Sequence, residues 1–363
     1  MAELRLGLEG VAVAETNITR IEGDEGRLIY RGELIEEIVK HRTFEEVVYL
    51  LWNGEYPDDN SLKQLKKDLT ARREIPDYIK DIIKKLPKNM NVMSVLRTAI
   101  SAIEVSGPAW PPTQTQAIEI LAKAPTIIAF YRSHQNGTPE IHPDASLDHV
   151  ENYLYMLYGK KPEHSHIKAL EAYLILSADH DMNASTFTAR VVTSTQSDIV
   201  SSVVAAIGAL KGPLHGGAPS EVDNMLDDIG SEENVEPWLR KHIENGEKIM
   251  GFGHRVYKTY DPRGAALKEI VKQFSQENKL FNLSLIVEKK AIELLNEYKP
   301  GRKLYPNVEF WAAGVLRTIL PVELYTPTFC VSRIAGWCAQ IMEQAAHNRI
   351  IRPASIYTGK MPK

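Results

Sequence analysis

The chain has 363 residues, 44% hydrophobic and 25% charged, with Lys+Arg 43 against Asp+Glu 47 and a formal net charge of -4. That is the make-up of a globular protein with room for two domains, or one large domain and a subsidiary lobe. A mildly acidic balance argues against nonspecific nucleic-acid binding, which needs a basic field. No run of about 18 uncharged apolar residues reads as a membrane span. Met1-Ala2-Glu3-Leu4-Arg5 lacks the apolar core of a signal peptide, so cytoplasm is the expected compartment.

In chain order, Gly10 to Tyr30 reads as a β-hairpin. Val11 and Val13 alternate with small residues, Gly23-Asp24-Glu25-Gly26 supplies a turn, and Leu28-Ile29-Tyr30 returns. Everything after it is helical in pattern. Thr43 and Glu46 form a capping box ahead of Val47, Val48, Leu50 and Leu51. Leu62 to Leu69, Tyr78 to Leu86, Val92 to Ile103, Thr115 to Ala122 and His149 to Leu157 read as helices, with Pro108-Ala109-Trp110-Pro111-Pro112 as punctuation. His164-Ser165-His166 reads as a solvated loop. Ile167, Leu170, Leu174 and Ile175 mark an apolar helix ending near His180.

Ile199 to Leu210 is apolar nearly all round and should be buried. Ser220-Glu221-Val222-Asp223 reads as the cap of the next helix. A last long helix opens near Thr326-Pro327, with proline at the first helical position. From Leu324 to Met342 its only formal charge is Arg333. Cys330 and Cys338, eight residues apart on it, lie roughly 12 Å apart at about 1.5 Å per residue. That is too far for a disulfide. No alternation of strands and helices occurs, so a doubly wound sheet is disfavoured.

Three histidines stand beside backbone able to approach a ligand: His180 in Asp179-His180-Asp181-Met182-Asn183, His215 between Leu214 and Gly216-Gly217, and His254 after Gly251-Phe252-Gly253. Imidazole donates or accepts protons near neutral pH. Each histidine alone could fill a tight turn or meet a helix dipole. Arg333, flanked by Phe329, Val331, Ile334 and Trp337, is costly to bury without a partner. It either pairs with a structural acid or awaits a substrate carboxylate, for which a guanidinium offers bidentate geometry. Arg263, in Asp261-Pro262-Arg263, and Arg352, before Pro353, would be ordinary loop arginines if read alone. Lys299-Pro300-Gly301-Arg302-Lys303 is a solvated turn or a phosphate-holding one. No His-Glu-x-x-His, close cysteine pair or carboxylate ladder occurs, so no metal is expected. Nor is there a phosphate-binding loop of either common pattern.

Taken together the motifs resemble the citrate synthase family over essentially the whole chain, in the compact form of Gram-positive bacteria and archaea. The resemblance rests on Met93-Ser94-Val95-Leu96-Arg97-Thr98, Asp179 to Thr186, Gly212-Pro213-Leu214-His215-Gly216-Gly217-Ala218, Gly251 to Lys258, Asp261-Pro262-Arg263, Asn307-Val308-Glu309-Phe310 and Arg352-Pro353. It implies a mainly α, two-domain helical fold with a short N-terminal β-hairpin. By similarity the large domain spans 1–216 and 321–363, and the small domain spans 217–320 and closes over substrate. It implies a homodimer in which Arg352 crosses to the partner's site. The implied reaction condenses acetyl-CoA with oxaloacetate and hydrolyses the citryl-CoA thioester, without a cofactor.

By the same resemblance Glu309 is the base, His215 donates to the thioester carbonyl, and His254 polarises and protonates the oxaloacetate ketone. His180, Arg263, Arg333 and Arg352 hold oxaloacetate. Lys258, Arg302 and Lys303 are the candidates for the CoA phosphates. The family has Asp where this chain has Glu309, and a displacement of about 1 Å can cost roughly 100-fold in rate. Two other readings follow: a 2-methylcitrate synthase using propionyl-CoA, and a catalytically weak sensor that binds dicarboxylate or CoA.

Overall fold

The computed structural model describes residues 4–216, 218–254, 256–272 and 279–362. Three short strands come first: β1 (Thr19–Glu22), β2 (Arg27–Tyr30) and β3 (Glu33–Leu34), antiparallel in that order. Thr19 faces Tyr30 and Glu22 faces Arg27, so residues 23–26 make the turn. The hairpin expectation therefore holds only from Thr19 onward. Among the described residues Val11 and Val13 have no strand partner, and alternation without pairing makes no strand.

The helices are α1 (Ile35–His41), α2 (Phe44–Asn53), α3 (Asp59–Ala71), α4 (Asp77–Lys85), α5 (Val92–Ser101) and α6 (Gln114–Asn136). Next come α7 (His149–Tyr158), α8 (His164–Ser177), α9 (Ala184–Ser194) and α10 (Ile199–Leu210). Then follow α11 (Ala218–Ile229), α12 (Val235–Glu244), α13 (Pro262–Lys272), α14 (Lys279–Tyr298), α15 (Val308–Ile319) and α16 (Tyr325–Ala346). The Thr43 capping box is present: its hydroxyl accepts from Glu46 N and the Glu46 carboxylate accepts from Thr43 N at 2.8 Å.

Three expectations need correction. The helix expected over Thr115 to Ala122 runs to Asn136 straight through Pro125. Pro125 cannot donate to the Leu121 carbonyl, a defect of about 3 kcal/mol. Burial along this helix, from Ala117 through Tyr131, outweighs that cost. His164-Ser165-His166 is no loop but the first turn of α8, where Ile167 N already donates to Glu163 O. The helix after His215 opens at Ala218, two residues ahead of the expected cap, with Pro219 in a first-turn position that spares its missing N–H.

The last helix is the hub. Every residue from Pro327 to Ile341 on α16 is buried, and it touches α2, α5, α6, α8, α9, α10 and α11. Cys330 and Cys338 are both fully buried on it, and burial pushes both thiols far up. At Gly336 an added Cβ would lie 2.2 Å from the Ala178 carbonyl oxygen, so only glycine lets the end of α8 seat here. Helices α11 and α13 pack on α15, and α12 and α15 pack on α14. This second group meets the first where α13 and α15 touch α8, and where α13 reaches α1 and β2. That seam holds the histidines.

Candidate active site

His180 sits three residues beyond α8, between a fully buried Asp179 and Asp181, whose φ of 49° is left-handed although it is not glycine. Such strain needs surrounding structure to hold it. Asn183 then caps α9, its Oδ1 accepting from Ser185 N and Thr186 N at 3.1 Å each. The His180 ring is buried, with Nε2 3.2 Å from the Tyr257 hydroxyl.

His215 follows the end of α10 in a tight turn, with its N–H donated to Gly212 O. Its Nε2 is 2.8 Å from Ser185 Oγ. Trp337 Nε1 donates to that same oxygen at 3.1 Å, and Asn183 Oδ1 lies 2.8 Å from it. The serine has one proton and two waiting acceptors, so it selects which nitrogen of His215 carries hydrogen.

His254 stands on a stretch that needs two left-handed glycines, Gly251 and Gly253 (φ 77° and 86°). This stretch pairs with the entrance to α15: Gly253 N donates to Tyr305 O at 2.8 Å and Asn307 N to Gly251 O at 2.9 Å. The Nδ1 of His254 accepts from Val256 N at 3.0 Å and Tyr257 N at 3.1 Å. Two donors on one nitrogen leave the ring proton on Nε2. Arg263 Nη2 is 3.5 Å from that Nε2. Two donors side by side define a place for one ligand oxygen.

Arg263 is no loop arginine. It is buried in the first turn of α13 and grips Asp261 through Nε and Nη2 at 3.0 and 2.8 Å. Asp261 also accepts from Val308 N at 3.0 Å, tying α13 to the start of α15. Arg333 is 1% exposed. Its Nε donates to Ser177 O at 2.7 Å and its guanidinium lies over the Phe329 ring. Among the described residues no carboxylate lies within ion-pair range of it, so a structural ion pair does not explain this charge.

Glu309 is the second residue of α15, with its N–H capped by Asn307 Oδ1 at 3.0 Å. Its carboxylate has no hydrogen-bond or ion-pair partner among the described residues. Burial raises its pKa from 4.5 to about 7, opposed by the positive charge of Arg263. Burial lowers His215 and His254 to about 4 each, and holds His180 well below 6.5. All three imidazoles are therefore neutral at pH 7. His180 feels Arg263, His254, Arg333 and His215, and Glu309 feels Arg263 and Arg333. These couplings, with the His180 and His254 rings 5.6 Å apart, join the six side chains in one cluster.

Four expected residues lie elsewhere. Lys258, Arg302 and Lys303 are exposed around the loops that carry His254 and lead to Glu309, and Lys258 N donates to Gly23 O. Arg352 is exposed on the C-terminal tail and joins no group of the cleft in this chain. Sequence reasoning passed over Tyr257, Asp261 and Ser185, although each lay inside a quoted motif. It also missed Thr19, Tyr30 and Gln340, whose types alone give no signal. His166 merely approaches Glu163 at 4.0 Å. Glu74, Glu140 and His142 bring possible ligand atoms within 4.8 Å on the outer surface, where Lys80 already bonds Glu140.

The family model described as "Citrate synthase, C-terminal domain" matches residues 7–354. Citrate synthase 2 of Bacillus subtilis is 41% identical, covering 97% of this chain and 95% of its own. The 2-methylcitrate synthase of Mycobacterium tuberculosis is 38% identical, over 98% of this chain and 91% of its own. The solved ternary complex of Thermoplasma acidophilum citrate synthase with carboxymethyl coenzyme A and oxaloacetate superposes with a TM-score of 0.92. It has 32% sequence identity and covers 100% of this chain and 98% of that one. Fold and relatives together define an enzyme, an acyltransferase built almost wholly from helices. The chain belongs to the citrate synthase family.

Proposed function

We propose that this enzyme condenses acetyl-CoA with oxaloacetate and hydrolyses the resulting thioester to citrate and CoA. One observation carries the reading: an unpaired carboxylate titrating near neutrality lies in the field of two arginines, Arg263 and Arg333, that between them also act on three neutral imidazoles. Glu309 takes a proton from the acyl methyl, for which a base with a pKa near the working pH is best matched. When the Ser185 hydroxyl donates its hydrogen bond to His215 Nε2, the neutral ring carries its hydrogen on Nδ1, which hydrogen-bonds the thioester oxygen. That donor stabilises the enolate as charge develops. The enol carbon attacks the ketone of oxaloacetate. His254 Nε2–H, already fixed by the two amides on Nδ1, hydrogen-bonds that ketone and protonates the alkoxide, and the nitrogen regains its proton from the water that then attacks the thioester. Arg263, Arg333 and His180 hold the oxaloacetate oxygens, and water cleaves the citryl thioester. No cofactor enters the scheme.

In this reading 217–320 is the smaller domain, closing over substrate at the seam of α13 and α15 with α8. The enzyme is a homodimer in which Arg352 of the partner subunit completes the oxaloacetate site. Arg352 fits that role because its tail is exposed in its own chain, together with Ile350, Ile356 and Tyr357. Among the described residues no helix is long and apolar enough to cross a membrane. The two unpaired, buried cysteines fit a reducing cytoplasm.

The test is CoA release by purified protein given acetyl-CoA and oxaloacetate. Intact ligand binding without release above background would overturn the reading and leave a dicarboxylate or CoA sensor. The Mycobacterium tuberculosis relative favours a second acyl donor, so kcat/KM for propionyl-CoA is measured in parallel. One extra methylene is worth only about 10–200-fold in an apolar pocket. A higher value for propionyl-CoA would make the product 2-methylcitrate.

Lys258, Arg302 and Lys303 form the basic rim for the CoA phosphates. Replacing all three with alanine is expected to raise the KM for acetyl-CoA about three- to tenfold, as for a few exposed ion pairs. It is also expected to flatten the salt dependence of that KM. The oxaloacetate KM should not move, and an unchanged acetyl-CoA KM would remove these residues from the site.

A further inference from the structure

The residue just before His180 is held from three sides. Tyr30, on β2, brackets the main chain of Asp179: its hydroxyl donates to Asp179 O at 2.7 Å and accepts from Asp179 N at 3.0 Å. Thr19, opposite Tyr30 on β1, donates its hydroxyl to Asp179 Oδ2 at 2.6 Å. Gln340 Nε2, from α16, donates to the same oxygen at 3.0 Å. Among the described residues Asp179 Oδ1 is buried without a hydrogen-bond partner, so the carboxylate is only half satisfied. A buried charge is retained in that state where its field has work to do. Asp179 is the strongest opposing charge acting on Arg333, whose Nη groups have no partner among the described residues.

From this arrangement we infer that Tyr30, Thr19 and Asp179 are positioning residues for oxaloacetate. The N-terminal sheet fixes the segment 178–181 so that His180 points into the cleft, and the Asp179 carboxylate orients Arg333 until the substrate carboxylate arrives. Asp179 touches no substrate in this scheme; it acts through its neighbours. The same sheet also meets the other histidine loop: an added Cβ on Gly23 would lie 2.4 Å from Val256 O, just before the Tyr257 whose hydroxyl reaches His180. One small sheet therefore registers His180 against the loop that carries His254.

The inference rests on the proposed reading of His180 and Arg333 as oxaloacetate ligands, and the experiment separates the two. Steady-state kinetics are compared for wild type, Tyr30→Phe, Thr19→Val, Thr19→Ser and Tyr131→Phe. Tyr30→Phe and Thr19→Val are expected to raise the oxaloacetate KM about tenfold, the equivalent of a lost buried hydrogen bond. The acetyl-CoA KM should stay within twofold. Thr19→Ser keeps the hydroxyl and should restore the wild-type value. Tyr131 is also fully buried, and its hydroxyl bonds the carbonyls of Pro87, Lys88 and Met90 far along the chain. Tyr131→Phe should lower Tm without moving the oxaloacetate KM. A wild type that does not condense oxaloacetate sinks the functional reading. An active wild type whose oxaloacetate KM is unmoved by Tyr30→Phe and Thr19→Val, or moved equally by Tyr131→Phe, overturns the positioning role. Should Tyr30→Phe fail to fold, the Thr19 pair decides alone.

Discussion

Glu309→Ala is expected to lower kcat by about 10²–10⁴-fold, the range for losing a positioned general base, while the KM for oxaloacetate changes little. Glu309→Asp should retain the rate or raise it, since it restores the acid that the family carries and shortens the reach by one methylene. The pH dependence identifies the group. A base acts when deprotonated, so kcat/KM should climb as pH rises through about 7, the value to which burial raises this carboxylate. Histidines at about 4 cannot produce that limb. The sign for stability is opposite. The folded state favours the protonated acid, so its ionisation weakens the fold progressively between pH 4.5 and about 7 and fully above. Glu309→Gln should therefore melt higher than wild type at pH 8, with no difference below pH 4.5. An alanine variant with unchanged kcat would take Glu309 out of the mechanism.

Arg333→Met is expected to raise the oxaloacetate KM by about 10–100-fold, the worth of a charge-assisted hydrogen bond. The effect on the acetyl-CoA KM should be small. Arg333→Lys keeps a positive charge facing Asp179 but loses the planar fork that matches a carboxylate. It should sit between wild type and methionine in KM and keep a Tm near wild type. Methionine should cost stability as well, because Asp179 would then be a buried charge without its opposing field. An oxaloacetate KM within twofold of wild type for both variants would assign Arg333 to the fold alone.

Much of this was legible in the residues. The isolation of Arg333 in an apolar helix announced a buried charge, and the structure shows it to lack any carboxylate partner among the described residues. The Thr43 cap and the limits of α10 followed from local chemistry that acts within one helical turn. The run of α6 past Ala122 was not legible, because the local cost of Pro125 is outweighed by distant packing that no window around it contains. His164 misled because polar residues at a helix start look like loop: that they extend the apolar helix of Leu170 and Leu174 is shown only by the backbone, where Ile167 N donates to Glu163 O.

At the site, glycines and histidines marked three of the loops, but not what orders them. Ser185 chooses the His215 tautomer through a contact 30 residues away, and Tyr30 reaches Asp179 across 149. Such pairings depend on how the chain crosses itself, which residue type and spacing do not encode. Arg263 was read as an exposed loop residue when taken alone; its burial and its grip on Asp261 come from α13 docking at the seam.

The two sulfhydryls on α16 bear on how the enzyme is handled at the bench. Both are sealed in the central helix and held as the unreactive protonated form, so a chromogenic disulfide reagent should find neither while the protein is native. Both should develop colour only after denaturant is added. Peroxide or ambient air should likewise spare them, and storage without reductant should not erode the catalyst.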